Sequence, residues 1–465
     1  MAEQAADFSA KVQVIVIGGG AGGLIAALRL RDAGVACVVL ERDASPSGST
    51  ALSSGFIPAG DSRWQRTAGV TDSVASMCAD IEEKNHHGAD ADVVRAVCAA
   101  SAPTLEWLAD RHGIAFELLQ GFLYPGHRVA RMHAVPEKTG AGLMARLLAA
   151  AARAGVDVLG KAAVTDLFAT AQGRITGVRV TRPDLSREDL GCEALILACN
   201  GFGGNKEMLK RHIPEAVDLF YEGHVGNQGD AIRWGEELGA SVRDIGSFQG
   251  HGAVCSPHGM HVGWATVTEG GFHVNKDGKR FSNENAGYSE QALKVHRQPG
   301  NIAWAIWDER CEKVANQQHS HQEANASGAI KRFDAIAPIA KAIGCDATAL
   351  EQAFAEVAAV ARGEKKDAFG RNFGGKLVLR PPYYLSKIMG ALTHTQGGLE
   401  IDKETRVLGM DGSPFPNLFA GGGAARGLSG PADWGYMSGS GLLMATNTGR
   451  LAGEAAAEQV KRISG

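Results

Sequence analysis

The 465-residue sequence carries eight cysteines, at positions 37, 78, 98, 192, 199, 255, 311 and 345, but no Cys-x-x-Cys pair. That absence argues against zinc ribbons, iron–sulfur sites and redox-active dithiols, and leaves the cysteines as reduced, mostly buried thiols. Neither sign of charge is in surplus: 47 Lys and Arg face 51 Asp and Glu, for a net charge of -4. There is accordingly no basic footprint for nucleic acid or an anionic membrane. No run approaches the roughly 18 apolar residues of a membrane span, and the opening MAEQAADFSAKVQ lacks the charged and apolar regions of a secretory leader. A soluble cytoplasmic protein is expected. With 45% apolar and 21% charged residues, general disorder is excluded. At about 150 residues per domain the length fits three units, or one large nucleotide-binding domain with an insertion.

Glycine is abundant instead, with 61 of 465 residues, against a usual share of about 7%. The glycines fall in short runs rather than a repeat, which excludes collagen-like and low-complexity readings and marks places where backbone comes close to something. The first such run follows the apolar stretch VQVIVI (12–17), which reads as a central parallel strand. Gly18, Gly20 and Gly23 satisfy G-x-G-x-x-G, the helix LIAALRLRDAG follows to Gly34, and a second strand, VACVVLE, ends in Glu41. The parts divide the work physically. Gly18 makes the tight turn, Gly20 lets a pyrophosphate approach, and Gly23 permits close helix–strand packing. The amides at the helix start, Ala21 and Gly22 among them, face the phosphate. Glu41, about 20 residues on, is placed to accept from a ribose hydroxyl. The pattern alone admits a nicotinamide or a flavin dinucleotide. The Ser/Gly loop that follows, with Arg42, Ser47, Gly48, Ser49, Ser54 and Gly55, suits a backbone laid along an extended dinucleotide and the edge of an isoalloxazine ring. No second G-x-G-x-x-G follows a later strand, so the electron acceptor, itself unidentified, must meet the flavin without a separate nicotinamide domain.

Four further segments carry a resemblance. SGFIPAGDSRWQRTAGVTDS resembles the segment beneath the flavin in the flavoprotein superfamily of succinate dehydrogenases, fumarate reductases and 3-ketosteroid dehydrogenases. LILACNGFGGNKEM, with Ala198, Asn200 and Gly201, is similar to its dinucleotide-crossing strand and loop. THTQGGLEIDKETRVL is similar to its H-T-M-G-G-L-x-I-D segment. NLFAGGGAARGLSG, with Gly422 and Gly423, resembles its second pyrophosphate-contacting turn. The resemblance spans Val12 to about Ala457. It implies an α/β fold: a discontinuous Rossmann-like FAD-binding domain of the glutathione-reductase type, with an inserted α+β capping domain. Between about 244 and 375 the strand–helix alternation lapses and His, Asn and Gln become frequent. The FAD domain is therefore expected over 1–243 and 376–465, and the substrate or capping domain over 244–375. FAD bound noncovalently is expected, because residues 45–55 contain no histidine for a covalent link.

The resemblance also implies residues for chemistry. GKRFSNENAGYSE is similar to a G-K-R-F-x-N-E segment after which ketosteroid dehydrogenases carry a Tyr four residues past the Glu; Tyr288 stands there after Glu284. Fumarate reductases carry a relay Arg in this region, and this chain has none. In SFQGH, His251 falls on a substrate histidine of the family's Q-x-H-P strand, with Gly252 in place of Pro; His394 falls on the second. Arg310, in IAWAIWDER, lies near the fumarate reductases' proton-donating Arg. His258, His261 and His273 are too irregularly spaced, and too far from clustered carboxylates or thiolates, for a metal site. The last helix should aim amides near Gly441 and Leu442 at the flavin pyrimidine. Before it, Tyr436 stands in Y-M-S-G-S-G, one residue longer than the ketosteroid dehydrogenases' Y-x-G-x-G and similar to the G-Y-x-x-G-x-G of tricarballylate dehydrogenases. Fumarate reductases place an Arg clamp there, which is absent here, and Arg426 is the remaining candidate carboxylate anchor.

Three functions are open on these residues. The first is an FAD-dependent dehydrogenase desaturating a carbon–carbon bond next to a ketone, with Tyr288 as base, His251, His394 or Tyr436 on the oxygen, and hydride passing to flavin N5. The second is a fumarate-reductase-like ene-reductase, or a tricarballylate-type dehydrogenase, acting on a carboxylic acid through Arg310 and Arg426. The third is a flavin-binding protein without turnover.

Overall fold

Residues 12–17 end the strand Ala10–Ile17, which runs parallel to Cys37–Leu40 on one side and Arg187–Leu197 on the other. The computed structural model describes residues 7–464; residues 1–6, part of the stretch read above for a leader, lie outside the described residues. Pro414–Ala420 and Asp157–Leu159 complete the parallel set within an eight-stranded sheet, and Arg406–Leu408 pairs antiparallel on the outer side of Pro414–Ala420. Alternate side chains explain why Val14–Ile17 is apolar throughout. Val14 and Val16 join one buried cluster with Ala194, Ile196 and the helices Ala21–Asp32 and Gly140–Arg153. Ile15 and Ile17 join a second with Leu195, Leu197 and the antiparallel strands Ala163–Ala169 and Ile175–Thr181. A strand covered on both faces has no side on which to place polar residues.

The first helix is nearly all buried and packs along the last, Ser440–Ser464. Small residues set that approach: a Cβ on Gly449 would lie 2.3 Å from the Gly22 carbonyl oxygen, and one on Gly453 2.7 Å from that of Ala26.

The chain divides into two compact units. One takes in the described residues up to Ile213, Gly223–Phe248 and those from His394 on; the other comprises Pro214–Glu222 and Gln249–Thr393. The second unit is built on a six-stranded sheet around the long strand Tyr383–Thr395, which pairs antiparallel with Ile302–Asp308 from Met389 to Tyr383. Trp304, Trp307, Phe272 and Phe354 fill its core with the helices Ile336–Ile343 and Ala347–Ala361. All eight cysteines are free thiols, buried or half-buried. Among the described residues no helix is long and apolar enough to cross a membrane.

Candidate active site

In the first unit, Ile17, Leu197 and Ala420 sit side by side at the carboxyl ends of three neighbouring parallel strands. The loops that leave them open a crevice of the kind in which α/β sheets bind ligands. Gly18 has φ +104°, and a Cβ there would meet the Ala198 oxygen at 2.5 Å; a Cβ on Gly23 would lie 1.9 Å from the Gly18 oxygen. Both positions therefore require glycine. Gly20 caps the first helix without a side chain, so the amides of Gly22 and Gly23 remain aimed out of the helix start. Ala21 N–H donates to Thr50 Oγ1 at 3.0 Å, and Gly19 N–H to Glu41 Oε2 at 2.8 Å. Asp43 N–H donates to the other Glu41 oxygen at 3.0 Å.

Around this turn the loops interlock. Ser49 Oγ accepts from Asn200 Nδ2 at 2.9 Å and from Asn227 Nδ2 at 3.0 Å. Asn200 has φ +65°, and its side-chain oxygen accepts from Gly201 N–H at 2.8 Å. Gly423 lies against that same oxygen, where a Cβ would come within 2.1 Å, and Gly422 N–H donates to Thr448 Oγ1 at 2.9 Å. Arg42 pairs with Asp230. Ser47 stands at the start of the short helix Gly48–Leu52, Ser54 is exposed, and Gly55 presses on the backbone of Thr139. An uncapped helix start amid side-chain-free backbone on three strand ends is a cradle that fits a diphosphate.

At the last helix, a Cβ on Gly441 would lie 2.8 Å from His394 Nε2, so the imidazole rests on the helix start beside the half-buried Leu442. His394 Nδ1 accepts from Gln396 Nε2 at 2.8 Å, and the Gln396 oxygen accepts from Ser429 Oγ at 3.0 Å. That chain makes His394 the tautomer with hydrogen on Nε2. The Tyr436 ring stands edge-on to His394 at 5.9 Å. Arg426 is engaged: Nε donates to Asp244 Oδ2 at 2.6 Å and Nη2 to the Gly88 oxygen at 2.9 Å.

In the second unit, His251 lies on the strand Phe248–Cys255 between Gly250 and Gly252. A Cβ on Gly250 would meet Ala292 Cβ at 2.6 Å, and one on Gly252 would meet Gln291 Cβ at 2.5 Å. The glycines let the helix Tyr288–His296 press onto the strand, and the replacement of the family's proline by Gly252 follows from that contact. The Tyr288 ring stacks on His251 at 5.1 Å. On the other side His261 stacks on it at 4.1 Å with the planes 4° apart, and His261 Nε2 bonds Glu222 Oε2 at 2.7 Å. Ala253 N–H donates to His251 Nδ1 at 3.2 Å, which leaves the ring hydrogen on Nε2. Burial, then the neighbouring His261, holds His251 well below the usual imidazole range. Burial opposes charge on Glu222 as well, but His261 outweighs it and brings the carboxyl down to about 2. His261 is correspondingly raised by Glu222 against burial.

The structure thus brings Tyr288 together with His251, and Tyr436 with His394 and Gly441. Arg310 stands elsewhere in the second unit: it donates to the Glu269 carbonyl at 2.6 Å, with the carboxylates of Glu269 and Asp308 at 3.6 and 3.8 Å. His273 bonds Gln291, and burial brings it to about 4. Sequence reasoning missed Glu222 and the part His261 plays, because the two are 39 residues apart and neither lies in a motif.

A family model described as an FAD binding domain matches residues 13–441. A probable fumarate reductase, Ifc3, of Shewanella frigidimarina (strain NCIMB 400) is 27% identical over 98% of this chain and 76% of its own length. The urocanate reductase of Eggerthella lenta is 28% identical over 88% of this chain and 69% of its length. The open conformation of a flavocytochrome c3 fumarate reductase superposes with a TM-score of 0.81 at 27% identity, covering 98% of this chain and 80% of that one. The 3-ketosteroid-delta4-(5alpha)-dehydrogenase of Rhodococcus jostii RHA1 shares the fold, with a TM-score of 0.78 at 23% identity over 98% of this chain and 99% of that one.

Proposed function

We propose, from the premise that the chain belongs to the FAD binding domain family and so to the succinate dehydrogenase and fumarate reductase flavoproteins, that it desaturates a carbon–carbon bond adjacent to a ketone. The first unit holds FAD noncovalently: the turn Gly18–Gly23 takes the diphosphate, Glu41 the ribose, and the amides near Gly441 the pyrimidine edge. Bound FAD supplies a two-electron acceptor for hydride. Tyr288 removes the proton next to the ketone, while His251, stacked on it in the same unit, donates to the oxygen on which charge gathers. A carbon acid loses its proton to tyrosine only when the tyrosine has given up its own to become the phenolate, and only with such help, at about 3 kcal/mol per well-placed donor.

Charge compensation is the observation that carries this reading. Arg426 and Arg310, the cations considered as anchor and acid for a carboxylic acid, already face Asp244 and the pair Glu269 and Asp308. His251 is neutral. A neutral ketone needs only hydrogen-bond donors, whereas a dicarboxylate would have to break an existing ion pair, at a cost of several kcal/mol. The alternative, reduction of an unsaturated acid, is supported by relatives named fumarate reductase and urocanate reductase.

Anaerobic mixing separates these readings. A cyclic ketone or 3-ketosteroid should bleach the flavin band of the oxidised protein. If instead fumarate or urocanate reoxidises the reduced protein and ketones leave the oxidised band unchanged, the alternative stands; no response to either panel indicates a flavin-binding protein without turnover.

A further inference from the structure

Two helices of the first unit, Val74–Lys84 and Ala91–His112, follow each other in the chain and pack side by side. Each carries one cysteine. Cys98 is fully buried in the core behind them, and the half-buried Cys78 packs against the same cluster. Ser101, one turn on from Cys98, donates from Oγ to the sulfur of Met77, beside Cys78, at 3.9 Å. The two thiols themselves are in contact, with Cys98 S–H donating to Cys78 Sγ. We propose that Cys78 and Cys98 form a peroxide-oxidisable dithiol: Cys78 reacts with a hydroperoxide, and Cys98 then closes a disulfide that staples the two helices.

The surroundings divide the roles, because a thiolate attacks peroxide and a thiol does not. Burial pushes Cys37 up to about 11 and Cys192, Cys199 and Cys311 to about 12. It raises Cys255 and Cys345 as well. Cys78 is lowered: the bond from Cys98 favours its thiolate against burial and Glu82, and Arg95 adds to that effect. Cys98 is raised by the same bond and by burial, so it remains a thiol. In the first step the Cys78 thiolate attacks a peroxide oxygen and the O–O bond breaks. Cys78 becomes a sulfenic acid, and the other oxygen takes a proton and leaves as water. In the second step the Cys98 sulfur attacks the Cys78 sulfur, the S–O bond breaks, and the hydroxyl leaves as water with the Cys98 proton. Two thiols have then lost two electrons and two protons, and one hydrogen peroxide has become two waters.

The staple reaches the candidate site through the ends of these helices. Past Lys84, Asn85 Nδ2 donates to the Leu428 oxygen at 2.8 Å, His86 stacks on Trp434 at 4.7 Å, and the Gly88 oxygen accepts from Arg426. The helix Ala91–His112 packs on the last helix, Ser440–Ser464. A Cys78–Cys98 bond therefore ties the segment before Tyr436 to the helix after it.

The test uses the full chain loaded with FAD and a small excess of hydrogen peroxide, with thiols counted after denaturation. Two of the eight thiols should be lost. The intact mass should fall by that of two hydrogen atoms, a non-reducing digest should yield the Cys78 and Cys98 peptides joined, and dithiothreitol should restore both thiols. The urea midpoint should be higher in the oxidised form, because the bond closes a loop of about 20 residues in the unfolded chain. In Cys78→Ser the thiol count should not respond to peroxide. In Cys98→Ser oxidation should stop at Cys78, where dimedone captures the sulfenic acid. Eight thiols surviving in the wild type, a joined pair other than Cys78 and Cys98, or a gain of oxygen without a cross-link would overturn the proposal. So would thiol loss in Cys78→Ser equal to that of the wild type. A urea midpoint lowered by oxidation would mean that the bond forces the helices out of place, and would overturn it too.

Discussion

Glu41 ties together the turn that precedes the first helix and the loop that follows the second strand, accepting one backbone amide from each. A carboxylate with two such donors holds the Gly19 peptide in place and offers its remaining lone pairs to a ribose. Glu41→Ala should raise the FAD dissociation constant at least roughly tenfold, since each charge-assisted bond is worth about 1.5–3 kcal/mol. Equilibrium dialysis checks this, and an unchanged constant would place the ribose elsewhere. Tyr288 is the residue on which the chemistry turns. Tyr288→Phe keeps the ring stacked on His251 and removes only the hydroxyl, so turnover with a cyclic ketone should fall at least about 100-fold. The flavin content, read from the ratio of visible to ultraviolet absorbance, should stay the same. Activity within a few-fold of wild type would remove Tyr288 from the role of base.

Among elements, the contact between the first and last helices is the tightest constraint on the cradle. Gly22 belongs both to the dinucleotide turn and to this crossing, so the last helix sets how far the first can shift. Gly449→Ala puts a methyl 2.3 Å from the Gly22 oxygen. Backbone must yield, and the expected loss is about 3 kcal/mol, seen as a lower urea midpoint together with faster FAD release. A midpoint equal to wild type would show that the helices separate without cost. This element also shows what a sequence makes legible. Strand, glycine turn, helix and acid lie within Val12–Glu41, and their reading needs only neighbours in the chain. The boundary expected at residue 376 rested on a change of composition. The strand Tyr383–Thr395 carries the second unit's sheet on as far as Thr393, and an apolar strand reads alike whichever sheet it joins. Charge compensation was illegible for the same reason: Arg426 and Asp244 are 182 residues apart, and no local pattern says that an arginine is already engaged.

At the scale of the molecule, both units bury histidines that folding holds neutral, and this sets how stability follows pH. In the first unit His127 donates to the Ser438 oxygen at 2.9 Å, and His133 lies between Ser62 Oγ and the Arg131 oxygen; in the second, His273 bonds Gln291. Burial brings all three from an ordinary 6.5 down to about 4. A lowered histidine binds its proton in the unfolded chain before the folded one, so stability falls as pH drops from 6.5 toward 4. The combined slope reaches at most about 4 kcal/mol per pH unit, three protons at about 1.4 each. Below that, Glu222 and Glu284, lowered from 4.5 to about 2 by cationic partners that outweigh burial, add their own loss between 4.5 and 2. His261 acts in the opposite sense: its raised value stabilises fully below 6.5, and that contribution is lost as pH rises through the folded value. The urea midpoint should therefore be greatest near neutrality and fall steeply by pH 5, well before the carboxylates titrate. A midpoint level from pH 7 to 5 would mean that these histidines are charged in the folded protein. Since two lie in the first unit and one in the second, His133→Gln should flatten the acid limb of the first unit's unfolding while leaving that of the second as it was.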